Sequence, residues 1–138
     1  SRMGCINGST CKTLTFYVDL HDGGSIPTII IVMRKDDLAI GQIVLVPISY
    51  ECYQIHISPV IKKERGHTLA FSREALRVGF ASIPKIKKVF ALIPVHNRLV
   101  IKLAQKCGFK KEGNLTNSFL YDGTMEDQVM YSLNKENL

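Results

Sequence analysis

The sequence contains no internal repeat, no low-complexity linker and no apolar run long enough to span a bilayer. A repeat array, a string of domains and a membrane-spanning helix are thereby excluded, and no membrane partner is expected. No glycine-rich run ends in Lys-Ser or Lys-Thr, which rules out a Walker-type phosphate loop. Cys5 and Cys11 have no second close cysteine pair to complete a zinc site, so no metal is expected. The basic groups Lys62-Lys63-Arg65, Lys85-Lys87-Lys88 and Lys106-Lys110-Lys111 lack interleaved aromatics, so they form no stacking surface for bases. Nucleic acid is therefore the least favoured partner.

What is present suits one compact unit. The chain has 138 residues, 46% of them apolar, which fits a single domain over 1–138 with one core. Residues 1–12 read as a partly ordered N-terminal segment, with Ser1-Arg2 ahead of a start methionine. The formal charge of +6 attracts phosphates or an acidic partner. Cys52 and Cys107 lie in apolar runs and read as buried, reduced thiols, which favours a cytoplasmic setting.

Apolar periodicity gives the order of elements. Residues 13–20, 28–33 and 40–46 read as a meander of antiparallel strands, followed by a cleanly alternating strand at 52–57. Tyr53, Ile55 and Ile57 share one face of that strand, and Cys52, Gln54 and His56 the other. A helix follows from His67 or Thr68 to about Phe80, anchored by Leu69, Leu76 and Phe80, with Gly79 and Pro84 placing its end. Residues 88–95 are almost wholly apolar, as in a strand covered on both faces. Asn97 caps a second helix through about Lys106, with Gly108 at C′. Strands at 115–121 and 128–133 are joined by an Asp122-Gly123 turn. The helical crossover between the strands at 52–57 and 88–95 makes those two parallel. The fold class is α/β, with a mixed, mostly antiparallel central sheet covered by helices.

The passage into the first helix draws attention, because a helix N-terminus exposes amides suited to phosphate. Arg65 precedes Gly66, whose missing side chain allows close backbone approach. The stretch Arg65-Gly66-His67-Thr68-Leu69-Ala70 resembles the pyrophosphate loop of the GNAT superfamily of N-acetyltransferases, with Thr68 at the central glycine position. The segment from Asn97 through Gly108-Phe109, Glu112-Gly113, Asp127 and Tyr131 is similar to the C-terminal half of that superfamily's ribosomal-protein-type branch. The resemblance covers residues from about 50 to 133. It implies an acyl-CoA N-acyltransferase fold lacking the usual N-terminal helices, with acetyl-CoA or another acyl-CoA as acyl donor.

By that resemblance, Arg65, Gly66, His67, Thr68, Leu69 and Ala70 hold the diphosphate, Asn97 lies near the pantetheine arm, and the backbone at Val60 polarises the thioester carbonyl. His56 is the favoured base, because its reference pKa suits proton removal near neutrality. Glu51 is the second candidate, and Tyr131 a candidate acid or orienting hydroxyl. Ala104 stands where many members carry a tyrosine acid.

Two functions remain open. One is transfer of an acetyl or related acyl group from coenzyme A to a primary amine of a protein or small molecule. The other is an inactive structural or interaction protein of the same fold, as a homo-oligomer or an assembly component, virion-associated if viral or phage-borne. Thr68, Ala104 and the missing helices motivate the second.

Overall fold

In the computed structural model, backbone is described for residues 2–5, 14–21, 27–35, 38–58 and 62–138. Side chains are described for 27–35, 38–58 and 65–138. Residues 6–12 of the N-terminal segment, Cys11 among them, and Val60 lie outside the described residues, as does the Cys5 side chain.

Eight strands form one sheet: β1 (Arg2–Cys5), β2 (Leu14–His21), β3 (Thr28–Lys35), β4 (Leu38–Pro47), β5 (Cys52–Ser58), β6 (Lys88–Pro94), β7 (Lys110–Tyr121) and β8 (Thr124–Asn134). Their spatial order is β1-β2-β3-β4-β5-β6-β8-β7. Every neighbouring pair is antiparallel except β5 and β6, which are parallel as the crossover requires. Helices α1 (Thr68–Ser82) and α2 (Arg98–Lys106) follow β5 and β6 respectively. No helix lies between β2 and β3 or between β3 and β4 among the described residues.

The pleat decides which residues are inside. Ile29, Ile31 and Met33 of β3, Tyr53 and Ile55 of β5, Val89 and Ile93 of β6, and Val129, Tyr131 and Leu133 of β8 are buried beneath the helices. A register shift between Met33 and Arg34 lets Ile40 join Ile43 and Leu45 in that layer. Phe71, Ala75, Leu76, Val78 and Phe80 of α1 cover it, together with Ala104 of α2. The Arg73 guanidinium donates to the Lys106 carbonyl at 3.1 Å, tying α1 to the C-terminal end of α2.

The expected cover on both faces is not found. Ile30, Val32, Val44, Val46, Phe90, Leu92 and Met130, on the sheet face away from the helices, are only half-buried. Cys52 shares that face and is half-buried for the same reason, and Cys107 is half-buried where α2 ends. Gly79 does not end α1, which continues to Ser82. A Cβ there would stand 2.5 Å from Leu45 Cδ1, so the glycine permits close approach of helix to sheet. Gly108, at φ +97°, is the C′ residue of α2 as expected.

Candidate active site at a fork between two strands

β5 and β6 pair only through Cys52–Lys88, Tyr53–Val89 and Gln54–Phe90. Beyond Gln54 and Phe90 both strands run on, β5 to Ser58 alongside β4 and β6 to Pro94 alongside β8. The sheet is therefore forked. Each arm is roughly 13 Å long, at about 3.3 Å per residue, and turns alternate peptide groups toward the gap.

On the helix side the fork opens into an apolar crevice of about 30 Å³. Ile55, Ile57 and Ile93 line it from the strands, Leu76 from α1, and Val100 and Ala104 from α2. Ser72 of α1 borders it as well. Ser72 is 2% exposed, and its Oγ has no hydrogen-bond partner among the described residues. Burying a hydroxyl unpaired costs about 1–3 kcal/mol, so this atom needs an explanation.

The approach to α1 differs from the sequence expectation. Residues Lys62–His67 wind into a 3-10 turn that runs straight into the helix, and His67 at φ −92° and ψ −4° is already helical, with no side-chain cap bond. The bare amides therefore lie at the start of that turn rather than at Thr68. Arg65, Gly66 and Ala70 are exposed, while His67, Thr68 and Leu69 are half-buried. A Cβ on Gly66 would meet nothing within 4 Å, so the flank beside Arg65 is open.

The other candidates separate. His56 lies on β5 beyond the last β5–β6 pair, exposed, on the face away from the helices, with no side-chain partner among the described residues. Glu51 sits at the opposite, paired end, roughly 16 Å away along the strand. Its carboxylate meets Lys87 Nζ at 3.4 Å, and its carbonyl accepts the Lys87 and Lys88 amides at 2.8 and 3.0 Å. Tyr131 is buried against α2, its hydroxyl accepting from Gln105 Nε2 at 3.1 Å, which anchors that helix. Asn97 caps α2, Oδ1 accepting the Val100 amide at 3.4 Å. Burial pushes the Cys52 and Cys107 thiols up, away from the thiolate form a nucleophile needs.

A second cluster stands at the open end. His96 lies between the end of β6 and the cap of α2, and its Nδ1 is bonded to the Glu126 carboxylate. The imidazole stacks on Tyr121 at 3.7 Å with the rings 16° apart, and Phe119 tilts against it at 6.3 Å. The β7–β8 hairpin delivers those partners. Asp122 and Gly123, at φ +51° and +77°, make the turn, and the register sets Phe119 opposite Glu126. The bulge near Asn117 is clamped by Asp127, whose carboxylate accepts the Asn117 amide at 2.9 Å and whose carbonyl accepts the Val95 amide at 3.1 Å. Sequence reasoning missed this cluster, since its members lie up to 30 residues apart. The one available signal was a histidine directly before a helix cap.

A wider, open depression of about 490 Å³ lies at the other end of β6, lined by Lys87, Asn134, Lys135 and Glu136, and it does not adjoin the fork. Among the described residues, no three His, Cys, Asp or Glu side chains gather as a metal site, and no helix is long and apolar enough to cross a membrane.

No protein-family model and no curated protein matches the chain. Solved structures do. Spermidine N-acetyltransferase from Vibrio cholerae in complex with CoA and spermine superposes with a TM-score of 0.73 at 22% identity, over 85% of this chain and 69% of that one. A chimera of that enzyme, SpeG, with hSSAT gives 0.73 at 22% over 84% and 70%. A probable acetyltransferase gives 0.69 at 22% over 80% and 64%. The chain has the GNAT fold. Two of these three structures are spermidine enzymes, so the likeness does not single out the ribosomal-protein-type branch. In this GNAT fold the fork lies between the strands that precede the two helices.

Proposed function

We propose that this protein transfers an acetyl or related acyl group from coenzyme A to a primary amine. The fork carries the reading: two parted strands with an apolar crevice between them, bordered by Ser72, whose buried hydroxyl has no partner among the described residues. An acyl-pantetheine is a long, mostly apolar chain interrupted by amides. Its amides would pair with the peptide edges of the fork, and one would satisfy Ser72 Oγ. The enclosed crevice has room for only about one water-sized group, so the length of the arm belongs in the gap between the strands. Arg65 and the open flank at Gly66 suit the diphosphate, with Thr68, Leu69 and Ala70 behind them, and Asn97 suits the pantetheine arm. The acyl donor supplies an activated carbonyl; the chain supplies position and proton transfer.

The donor's phosphates reach the fork from the helix side, which leaves the bare sheet face to the amine. The likeness to an enzyme crystallised with spermine supports a small cationic amine as acceptor, alongside a protein amine. Free thiols at Cys52 and Cys107 suit a cytoplasmic setting. A second reading, an interaction protein of this fold, is favoured by the half-buried apolar face that no helix covers among the described residues.

Titration calorimetry with acetyl-CoA tests the first reading. Wild type is expected to bind, and Arg65→Glu to bind at least about tenfold more weakly by setting a carboxylate against the diphosphate. Equal affinities would remove Arg65 from the site.

A further inference from the structure

We propose that His96, held by Glu126, accepts the proton of the attacking amine at the fork, an assignment that rests on the acyl-transfer reading above. The placement comes from the chain itself. Ile93 and Val100 both line the crevice, and His96 lies between them, where β6 gives way to α2. Glu126 alternates with Val129 and Tyr131, which face the helices, so it shares the opposite face with Gln128 and Met130. The imidazole therefore stands at the open end of the fork on the side left for the amine.

The ring is held by more than one contact. Nδ1 is bonded to Glu126, Tyr121 stacks on the ring, and Phe119 closes a further side. A carboxylate only accepts hydrogen bonds, so Nδ1 is the donor to Glu126, and in the neutral imidazole this leaves the Nε2 lone pair to take a proton. Nε2 has no partner among the described residues. Side-chain exposure of 34% for His96 and 18% for Glu126 leaves the imidazole reachable while its carboxylate is sheltered. His56 has no comparable partner to fix its tautomer, and Glu51 lies at the paired end beside Lys87.

The ammonium of the acceptor gives one proton to His96 Nε2, and the freed nitrogen pair attacks the thioester carbonyl. The C–N bond forms and the C–S bond breaks. Sulfur leaves with that bonding pair and takes a second proton from the amine nitrogen, giving the free thiol. His96 then returns its proton to solvent. Glu126 touches no reacting atom; it is a positioning residue.

Thiol release from acetyl-CoA tests the assignment, with spermine and a short peptide bearing a free N-terminus as acceptors. His96→Ala is expected to lower kcat about 100-fold, within the usual range for general base catalysis, with an unchanged KM for acetyl-CoA and partial recovery on adding imidazole. Glu126→Gln is expected to lower kcat about tenfold at unchanged acetyl-CoA KM, and Glu126→Asp to restore part of it. His96→Gln, which can still donate to Glu126, replaces the alanine variant if that one does not fold. If His96→Ala keeps kcat within about threefold of wild type, or if His56→Ala abolishes turnover while His96→Ala does not, the role of His96 is overturned and the transferase reading stands. If the wild type binds acetyl-CoA but releases no thiol with either acceptor, both fall.

Discussion

Over residues 52–54 and 88–90, β5 and β6 are ordinary parallel neighbours; a few residues further along they have parted around a crevice. The paired end is tied down at several points. The Glu51 carbonyl takes two amides, Lys88 Nζ reaches both carboxylate oxygens of Glu112 at 2.7 and 2.8 Å, and the Tyr53 hydroxyl donates to the Pro27 carbonyl at 2.8 Å. Among the described residues, the forked end has peptide edges without a partner strand, an unpaired Ser72 hydroxyl and a histidine–carboxylate pair at its mouth. Stability is concentrated where the strands meet, and unsatisfied binding capacity where they separate. A site that must admit a ligand between strands has to give up part of the ladder, and the paired end holds the two strands in place while it does so.

The sharpest way to break this contrast uses two residues on one face of β5. Tyr53 is fully buried at the paired end, whereas Ile57 is 36% exposed at the fork. Tyr53→Ala is expected to cost about 3–5 kcal/mol through lost burial, a cavity and the orphaned Pro27 carbonyl. Ile57→Ala is expected to cost about 1 kcal/mol, because much of its side chain already meets water. Urea denaturation measures both, and equal losses would show that the two ends are equally load-sharing.

How far this contrast was legible in the sequence depends on the range of the interactions that make it. Alternation at 52–57, the Asn97 cap, Gly108 and the Asp122-Gly123 turn are local, and each was read directly. Parallel pairing of β5 with β6 followed from the crossover. The fork did not, because the point where a ladder ends depends on how two strands are held by β4, β8 and both helices. Gly79 looked like a helix stop for want of Leu45, which packs against it from another strand. β7 starts at Lys110 rather than Leu115, since charge along an edge strand hides its alternation. His96 and Glu126 meet only because a bulge and a hairpin register bring them together. Glu51, just before β5, and His56 within it lie at opposite ends of the contrast, which neighbouring positions in sequence do not reveal.

Ser72→Ala sharpens the comparison from the open side. Removing an unpaired buried hydroxyl from an apolar crevice, and adding a better helix former, is expected to stabilise the protein by about 1 kcal/mol. The same change is expected to weaken acetyl-CoA, because the amide that the hydroxyl would meet loses its partner. Thermal unfolding and calorimetry on the one variant read both effects. A less stable Ser72→Ala with unaltered affinity would mean that the hydroxyl is structural.

The smallest effect belongs to the paired end, where Glu112 meets Lys88 with side chains 39% and 33% exposed. The hydrogen bond from Lys88 first, then one from Ser132, holds the Glu112 carboxyl below the usual glutamate range. A folded-state pKa below the unfolded one means that the unfolded chain binds more protons as pH falls, so the stabilisation is present above the unfolded value and is lost as pH drops through the folded one. Solvent screening of so exposed a pair limits it to about 0.5 kcal/mol. Glu112→Gln is therefore expected to be about 0.5 kcal/mol less stable than wild type at pH 7, with the gap closing once the pH is well below the carboxylate range. Urea midpoints at the two pH values measure it. A gap that persisted in acid would assign the loss to packing around Ser132 instead of to charge, and the paired end would then owe its rigidity to the backbone ladder and Tyr53 alone.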